Sequence, residues 1–291
     1  MSTDGQWDIV TGVGITALAV AAARAVETSR PAPLVEDPWA ASFVTAAESP
    51  VPMPTTSREV DGATATAGAW AEMVDYAAVR TRAFDDHFLR AGKEGITQAV
   101  ILAAGLDTRA FRLDWPAGTV VYEIDQPRVL SFKREVLRQA GAQPRCDRRP
   151  VPADLREDWA RALTAAGFDP SRPTAWLAEG LLPYLPAGAE QRLFQETHRL
   201  SAPGSHLAAE YLTDLADVLA DPRLEQPAAE MGLELTELLH TDARPGPADL
   251  LTALGWRTRT VSGSEAAASH GRPVSAAGIT DHAHHLFARL G

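Results

Sequence analysis

The sequence predicts an α/β fold built on a doubly wound, mostly parallel sheet. Short apolar runs alternate with helical patterns five times before two closing strands, the order that lays helices on both faces of a sheet. The first run, residues 99–104 (AVILAA), is unbroken and non-alternating, as suits a strand buried on both faces, and Gly105 stops it. Ligands of such sheets bind outside the carboxyl ends of the strands, where strand order reverses. The turn after this strand is therefore where a site is expected.

Residues 9–23, rich in Ala, Val and Ile, read as a buried amino-terminal helix. The stretch is too short to span a bilayer, contains Gly12 and Gly14, and follows Asp4 and Asp8 rather than the basic start of a signal peptide. Residues 30–38 (RPAPLVEDP) form a proline-rich connector and residues 39–47 a short helix. Residues 49–66, rich in Pro, Thr and small side chains, read as a mobile loop, either a lid or plain disorder. Residues 69–91 then place Trp70, Met73, Val74, Ala77 and Ala78 at helical spacing, and Phe84, Phe88 and Leu89 continue the stripe. Arg80 and Arg82 lie on this helix two positions apart and point in different directions. At most one of them faces a ligand carboxylate, the other being solvated or paired; the alternative for either is an ordinary surface charge.

The glycine turn narrows the cofactor. A dinucleotide site needs several glycines at a helix start so that pyrophosphate can rest on bare backbone. Here the turn reads Gly105-Leu106-Asp107-Thr108-Arg109, with one glycine and with a carboxylate, Asp107, where phosphate oxygens would lie. Both features disfavour NAD, FAD and ATP. They suit an adenosyl ligand bearing a sulfonium and an amino-acid tail, which is S-adenosylmethionine. The second strand, residues 119–124, leads into the acidic pair Glu123 and Asp125, and Asp125 lies 20 residues after Gly105. A nucleotide fold sets a carboxylate against ribose hydroxyls at that spacing, although an ordinary buried strand and turn would show the same pattern.

Pro127 suits the first turn of a helix that continues over 129–140 to Gly141. Residues 149–153 read as the third strand, ending at Asp154-Leu155. Asp154 can accept the exocyclic amine of adenine, cap a helix over 156–166, or do both. Residues 174–178 are the fourth strand, and Glu179, the first residue of EGLLPY, should face the same crevice as Gly105 and Asp125. An amphipathic helix over 187–200 and a fifth strand over 205–211 follow. Residues 213–240 look helical and irregular, broken at Pro222 and Pro227, as an insertion covering an acceptor pocket would be. A helix over 247–254, a sixth strand over 256–261 and a last strand over 282–290 close the chain.

With 291 residues the chain fits one large α/β domain or a smaller one with an appended helical cap. We read residues 1–291 as a single domain, with a helical cap or lid over 1–92 and a core over 93–291 carrying an insertion at about 212–246. The 38 acidic residues against 27 basic ones give a net charge of −11, which argues against a nucleic-acid partner or an anionic-membrane surface. A lone cysteine, Cys146, forbids an intrachain disulfide and a cysteine-based metal cluster and fits a reducing cytoplasm. The histidines give no metal site: His282 and His285 read as a solvated cluster.

Four motifs together, VILAAGLDTRAFRL (100–113), VVYEIDQP (120–127), ADLREDW (153–159) and PTAWLAEGLLPYL (173–185), resemble the leucine carboxyl methyltransferase-like family. The likeness is nearest to its actinobacterial branch of provisionally assigned S-adenosylmethionine-dependent methyltransferases and covers roughly residues 76–211. It implies a class I methyltransferase, a Rossmann-like sheet of seven strands with strands 1–6 parallel and strand 7 antiparallel. It also implies roles. Arg80 or Arg82, more readily Arg80, would bind the methionine carboxylate. Gly105 and its neighbours, Ala104, Asp107 and Arg109, would line the methionyl portion, Asp125 would hold the ribose hydroxyls, and Glu123 and Gln126 would also belong to the cofactor site. Asp154 and Leu155 would frame adenine, while Glu179 with Gly180 would lie near the ammonium and sulfonium. Ala103 stands where many members carry glycine.

Methyl transfer is an in-line displacement at a sulfonium carbon, so catalysis is largely positioning. A carboxylate acceptor needs no base at neutral pH, whereas a hydroxyl needs a nearby His, Asp or Glu. Tyr184, Glu210 and Tyr211, at predicted strand ends, are the acceptor-side candidates. The leading reading is an O-methyltransferase of a small-molecule carboxylate or hydroxyl, of a kind used in secondary metabolism, acting as a monomer or homodimer. A nicotinamide-dependent oxidoreductase on a similar sheet and a non-catalytic cofactor-binding module are the alternatives. Selective binding of adenosyl ligands over NAD separates the first, and binding without turnover identifies the second.

Overall fold

Strands of five, six and four mostly apolar residues become the centre of the sheet because both of their faces find cover. The computed structural model describes residues 9, 10, 12–62, 67–221, 228, 229, 232–272 and 279–291. The amino-terminal part contributes helices α1 (Val13–Thr28), α2 (Ala40–Ala46), α3 (Ser57–Gly62) and α4 (Ala67–Lys93). Strand β1 (Gln98–Leu102), α5 (Arg109–Arg112), β2 (Val120–Asp125), α6 (Pro127–Gln139), β3 (Asp147–Pro152) and α7 (Trp159–Ala165) follow. Then come β4 (Ala175–Ala178), a 3₁₀ turn at Leu182–Tyr184, α8 (Ala187–Arg199), β5 (His206–Leu212) and α9 (Leu215–Leu219). Strands β6 (Trp256–Ser262) and β7 (Ala283–Leu290) complete the sheet, with short helices at Leu235–Leu238, Pro247–Ala253, Gly263–Ser269 and Ile279–His282.

The seven strands lie in the order β3-β2-β1-β4-β5-β7-β6. Those from β1 to β5 pair in parallel, and β7 pairs antiparallel with both β5 and β6. The order reverses between β1 and β4, so the chain leaves their carboxyl ends in opposite directions and opens a crevice there. Side chains alternate between two cores, as the pleat requires. Val100, Leu102, Tyr122 and Trp176 enter one; Ala99, Ile101, Val121 and Leu177 enter the other, with Phe84 and Phe88 of α4 and Leu18 of α1. Among the described residues no helix is long and apolar enough to cross a membrane.

One buried strap sets α1 over the crevice. Arg24 donates to Asp37 (2.8 Å) and to the Leu106 carbonyl (2.8 Å), and Asp37 also accepts from the Thr108 hydroxyl (2.7 Å). A helix far upstream is thereby fastened to the glycine turn.

Some boundaries differ from the sequence reading. The first strand ends at Leu102 because Ala103 turns into the left-handed region, φ +50°. Helix α1 runs to Thr28, beyond the expected end at residue 23. The 49–66 segment holds a helix, α3, entered through Glu59, whose carboxylate accepts from the Thr55 and Thr56 amides (2.7 and 3.0 Å); residues 63–66 lie outside the described residues. Asp154 does not cap α7. It closes a turn by accepting from the Arg156 amide (2.9 Å), and Asp158 is the cap, accepting from the Arg161 amide (3.2 Å). The expected breaks at Pro222 and Pro227 lie outside the described residues. The helix Gly263–Ser269, entered through a Ser262–Glu265 capping box, was not anticipated.

Ala103 carries backbone that glycine would adopt more easily, at a cost of about 1–2 kcal/mol for an L-residue. Ala103→Gly also enlarges the unfolded ensemble, by about 0.5–1 kcal/mol. The two effects oppose, so urea denaturation should find this variant within about 1 kcal/mol of the parent, whereas the branched side chain of Ala103→Val at the same φ should cost more. A large loss in the glycine variant would mean that the Ala103 methyl, rather than the turn, matters.

Candidate functional site

The crevice at the carboxyl ends of β1, β2, β4 and β5 deepens into a cavity of about 1760 Å³. Of the residues singled out in the sequence, Arg80, Ala104, Gly105, Asp107, Arg109, Asp125, Gln126, Asp154, Leu155, Glu179, Gly180, Tyr184 and Glu210 all line it. Arg82, Glu123 and Tyr211 are not in its wall.

Asp125 closes back on the glycine turn. Its Oδ2 accepts from the Gly105 amide at 2.6 Å and its Oδ1 from the Gln126 amide at 2.6 Å. Gly105 sits at φ +45°, a conformation that side chains rarely adopt. Burial raises the Asp125 carboxyl pKa, and the two amides work against that rise. Each oxygen retains acceptor capacity beyond its amide, which suits a pair of neighbouring hydroxyls. Asp154 and Leu155 stand past the end of β3, the Asp154 carboxyl being held below its usual range chiefly by Arg156.

Between β1, β4 and β5 lies a buried network of ions. Arg80 reaches across from α4 to pair with Glu179 (2.9 Å) and Glu210 (3.0 Å). Glu210 also accepts from the Tyr76 hydroxyl and from the Gly180 amide (2.8 Å). Arg109 pairs with Glu179 (2.7 Å), Asp85 (2.7 Å) and Asp107, and Arg112 adds a second cation on Asp85 at 2.5 Å. Burial is the largest single influence on the carboxyls of Asp107 and Glu179 and would raise both, but the cations together outweigh it: Arg109, Lys133 and Arg112 at Asp107, Arg109 and Arg80 at Glu179. Both acids stay below their usual range. Burial would likewise lower Arg80, yet Glu210, Tyr76 and Glu179 hold it well above the ordinary guanidinium value. Three guanidiniums thus meet four carboxylates, Asp85, Asp107, Glu179 and Glu210. Such a network carries one net negative charge, which favours a cationic ligand over a phosphate.

Tyr76, Asp85 and Arg112 were missed in the sequence. Tyr76 had a signal, since it precedes Arg80 by four residues and so shares its face of α4. Asp85 and Arg112 had none; an acid and an arginine on helices are commonplace. Glu210, read as an acceptor-side group, has both oxygens committed to Arg80, Tyr76 and Gly180 and serves to hold Arg80.

Three expected residues belong elsewhere. Arg82 points off the cavity side of α4 and pairs with Asp86; its side chain is 43% exposed against 7% for Arg80. Tyr211 stacks on His284, with ring centroids 5.2 Å apart, because β5 pairs these positions with β7. Glu123 is fully buried beneath the sheet end, paired with Lys133 (2.7 Å) and Arg148 (2.6 Å). Removing one partner of such a pair leaves a buried charge uncompensated, typically at about 3–5 kcal/mol. Glu123 keeps Arg148 when Lys133 is removed, so Lys133→Ala should lower the unfolding free energy by less than that, about 1–3 kcal/mol, with a smaller effect on cofactor affinity; chemical denaturation and titration calorimetry check the two. Cys146 lies outside the cavity, and burial pushes its thiol up to about 12.

A model of the family described as leucine carboxyl methyltransferase matches residues 17–198, well over half of the chain. A Saccharopolyspora erythraea protein, provisionally named as an S-adenosyl-L-methionine-dependent methyltransferase, is 51% identical over 276 residues, which cover 94% of each chain. A Rhodococcus jostii protein of the same provisional name is 47% identical, covering 94% of this chain and 93% of its own. Among solved structures, a provisionally assigned methyltransferase from Thermobifida fusca superposes with a TM-score of 0.52 at 20% identity, covering 86% of this chain and 93% of its own, a likeness of fold.

Proposed function

We propose, from the premise that this chain belongs to the leucine carboxyl methyltransferase family and is an S-adenosylmethionine-dependent methyltransferase, that it methylates an oxygen, carboxylate or hydroxyl, of a small molecule. The observation that carries the small-molecule reading is the cavity. At about 1760 Å³ it exceeds the roughly 300–1,000 Å³ of a pocket for one drug-sized ligand. Beyond the ion network its wall is mostly apolar, with Val13, Ala17, Val20, Met73, Leu181 and Leu212 among its residues. A cofactor and an enclosed acceptor fit such a shape together better than an exposed peptide end does.

The donor set fits the cofactor. Asp125 is the group for the ribose hydroxyls, Asp154 and Leu155 stand where adenine would be framed, and Gly105 leaves the turn open beside Ala104, Asp107 and Gln126. Arg80 and Arg109, bridged by Glu179, face the amino-acid end: Arg80 for the carboxylate, and Glu179, beside Gly180, for the ammonium. When bound, the cofactor supplies an electrophilic methyl group on a cationic sulfur. The chain's own residues then orient and exclude water, which is most of what an in-line displacement needs. Tyr184, whose hydroxyl lies 3.5 Å from Thr16 Oγ1 and which burial keeps protonated above its usual range, is the acceptor-side hydrogen-bond donor.

Incubation with methyl-labelled S-adenosylmethionine and a panel of small acids, alcohols and phenols, beside a peptide ending in leucine, tests the reading. Label should pass to small molecules at oxygen. Transfer to the peptide alone would overturn it.

A further inference from the structure

We infer that the acceptor is an uncharged, largely apolar molecule methylated on a hydroxyl rather than on a carboxylate, and that His240 takes the hydroxyl proton. The inference rests on the use of the crevice proposed above and decides between its two acceptor chemistries.

The first observation is the charge inventory of the cavity. Among the described residues its wall holds eight carboxylates and five guanidiniums, and no lysine. Every one of those guanidiniums already has a carboxylate partner: Arg24 with Asp37, Arg80 with Glu179 and Glu210, Arg109 with Asp85, Asp107 and Glu179, Arg112 with Asp85, and Arg156 with Asp154. A carboxylate acceptor would have to shed its water in a wall with an acid excess, where Arg80 is already given to the carboxylate of the cofactor and the other guanidiniums are held by acids, and the single net positive charge of the cofactor does not reverse that excess. Burying an anion under those terms is costly. A hydroxyl brings no charge and escapes the cost.

The second observation is an imidazole in the wall of the same cavity. His240 is the histidine in the cavity wall among the described residues. Its amide donates to the Pro183 carbonyl at 2.9 Å, next to Tyr184 in the 3₁₀ turn after β4, and its own carbonyl accepts from Arg244 at 2.8 Å. Arg244 is in turn held by Glu190 (2.8 Å) and by the Leu185 carbonyl (2.8 Å). The backbone of His240 is thus clamped to the loop that carries Glu179, Gly180 and Tyr184, while its ring makes no hydrogen bond among the described residues. Imidazole is the side chain suited to accepting a proton near neutral pH. In the step, the acceptor oxygen forms a bond to the methyl carbon as the carbon–sulfur bond breaks. That electron pair stays on sulfur, and the hydroxyl proton passes to His240.

Three measurements on the full chain test this. In protein saturated with S-adenosylhomocysteine, displacement of Nile red by matched pairs (2-naphthol and 2-naphthoate, decanol and decanoate) should favour the hydroxyl member by tenfold or more. Equal or tighter binding of the carboxylate, or displacement by neither, overturns the inference. Labelled methyl products should resist mild alkali as ethers do; an alkali-labile ester overturns the inference and leaves the proposed function standing, whereas a methylamine overturns both. With phenol acceptors, His240→Ala should lower kcat by 10²-fold or more with KM nearly unchanged, and the loss should shrink as the phenol becomes acidic enough to ionise unaided. A loss that ignores phenol acidity, or no loss, removes His240 from the step. Failure of S-adenosylhomocysteine to bind would instead strike the cofactor assignment itself.

Discussion

Asp125→Ala should lower affinity for S-adenosylhomocysteine by about 100-fold in titration calorimetry, equivalent to ~3 kcal/mol. A carboxylate accepting from two hydroxyls makes charge-assisted hydrogen bonds of about 1.5–3 kcal/mol each, and water recovers part of that in the truncated site. The variant also strips the Gly105 and Gln126 amides of their acceptor, which loosens the turn and acts in the same direction. Asp125→Asn keeps the volume and one carbonyl oxygen, so its affinity should fall between the two. Parent-like affinity in the alanine variant would remove Asp125 from the ribose site.

Arg80→Ala and Arg82→Ala should differ by an order of magnitude in cost, although they are two residues apart. Without Arg80, Glu179 keeps Arg109, but Glu210 is left buried with a hydroxyl and an amide as its partners. Breaking a buried ion pair in this way costs about 3–5 kcal/mol. Cofactor affinity should fall as well, because the guanidinium that faces the amino-acid end is gone. Arg82 forms an exposed pair with Asp86, and such pairs contribute about 0.2–1 kcal/mol. Chemical denaturation gives the two stabilities, and calorimetry on the folded fraction gives the affinities. Equal losses would show that the two arginines are not divided between a site face and a surface face. Arg80→Lys separates charge from geometry: one ammonium cannot span Glu179 and Glu210 as a guanidinium does, so it should recover part of the loss.

The fold was legible because its signals are local. A run of apolar residues with no alternation is a strand covered on both faces, whatever covers it, and the helical stripes and turn glycines follow the same periodic rules. Gly105 and Asp125 were legible together since a 20-residue spacing reports one strand–turn–helix–strand unit. The parallel strands and the antiparallel β7 stand as expected from the family resemblance. Where the boundaries moved, at Ala103 and at Asp158 in place of Asp154, the deciding fact was a backbone angle or one capping bond, and neither leaves a periodic trace.

The sequence by itself determined the order of elements, the place of the crevice and the kind of ligand excluded from its turn, because these depend on neighbours within some 20 residues. Which charges meet was decided by the tertiary structure alone. Glu123 and Asp125 are equivalent in pattern, yet Lys133 and Arg148 claim the first and the glycine turn claims the second. Arg80 finds Glu210 across 130 residues of chain and Arg109 finds Glu179 across 70. A carboxylate's role is set by the partner that desolvates with it, and that partner is brought close only when the sheet has formed.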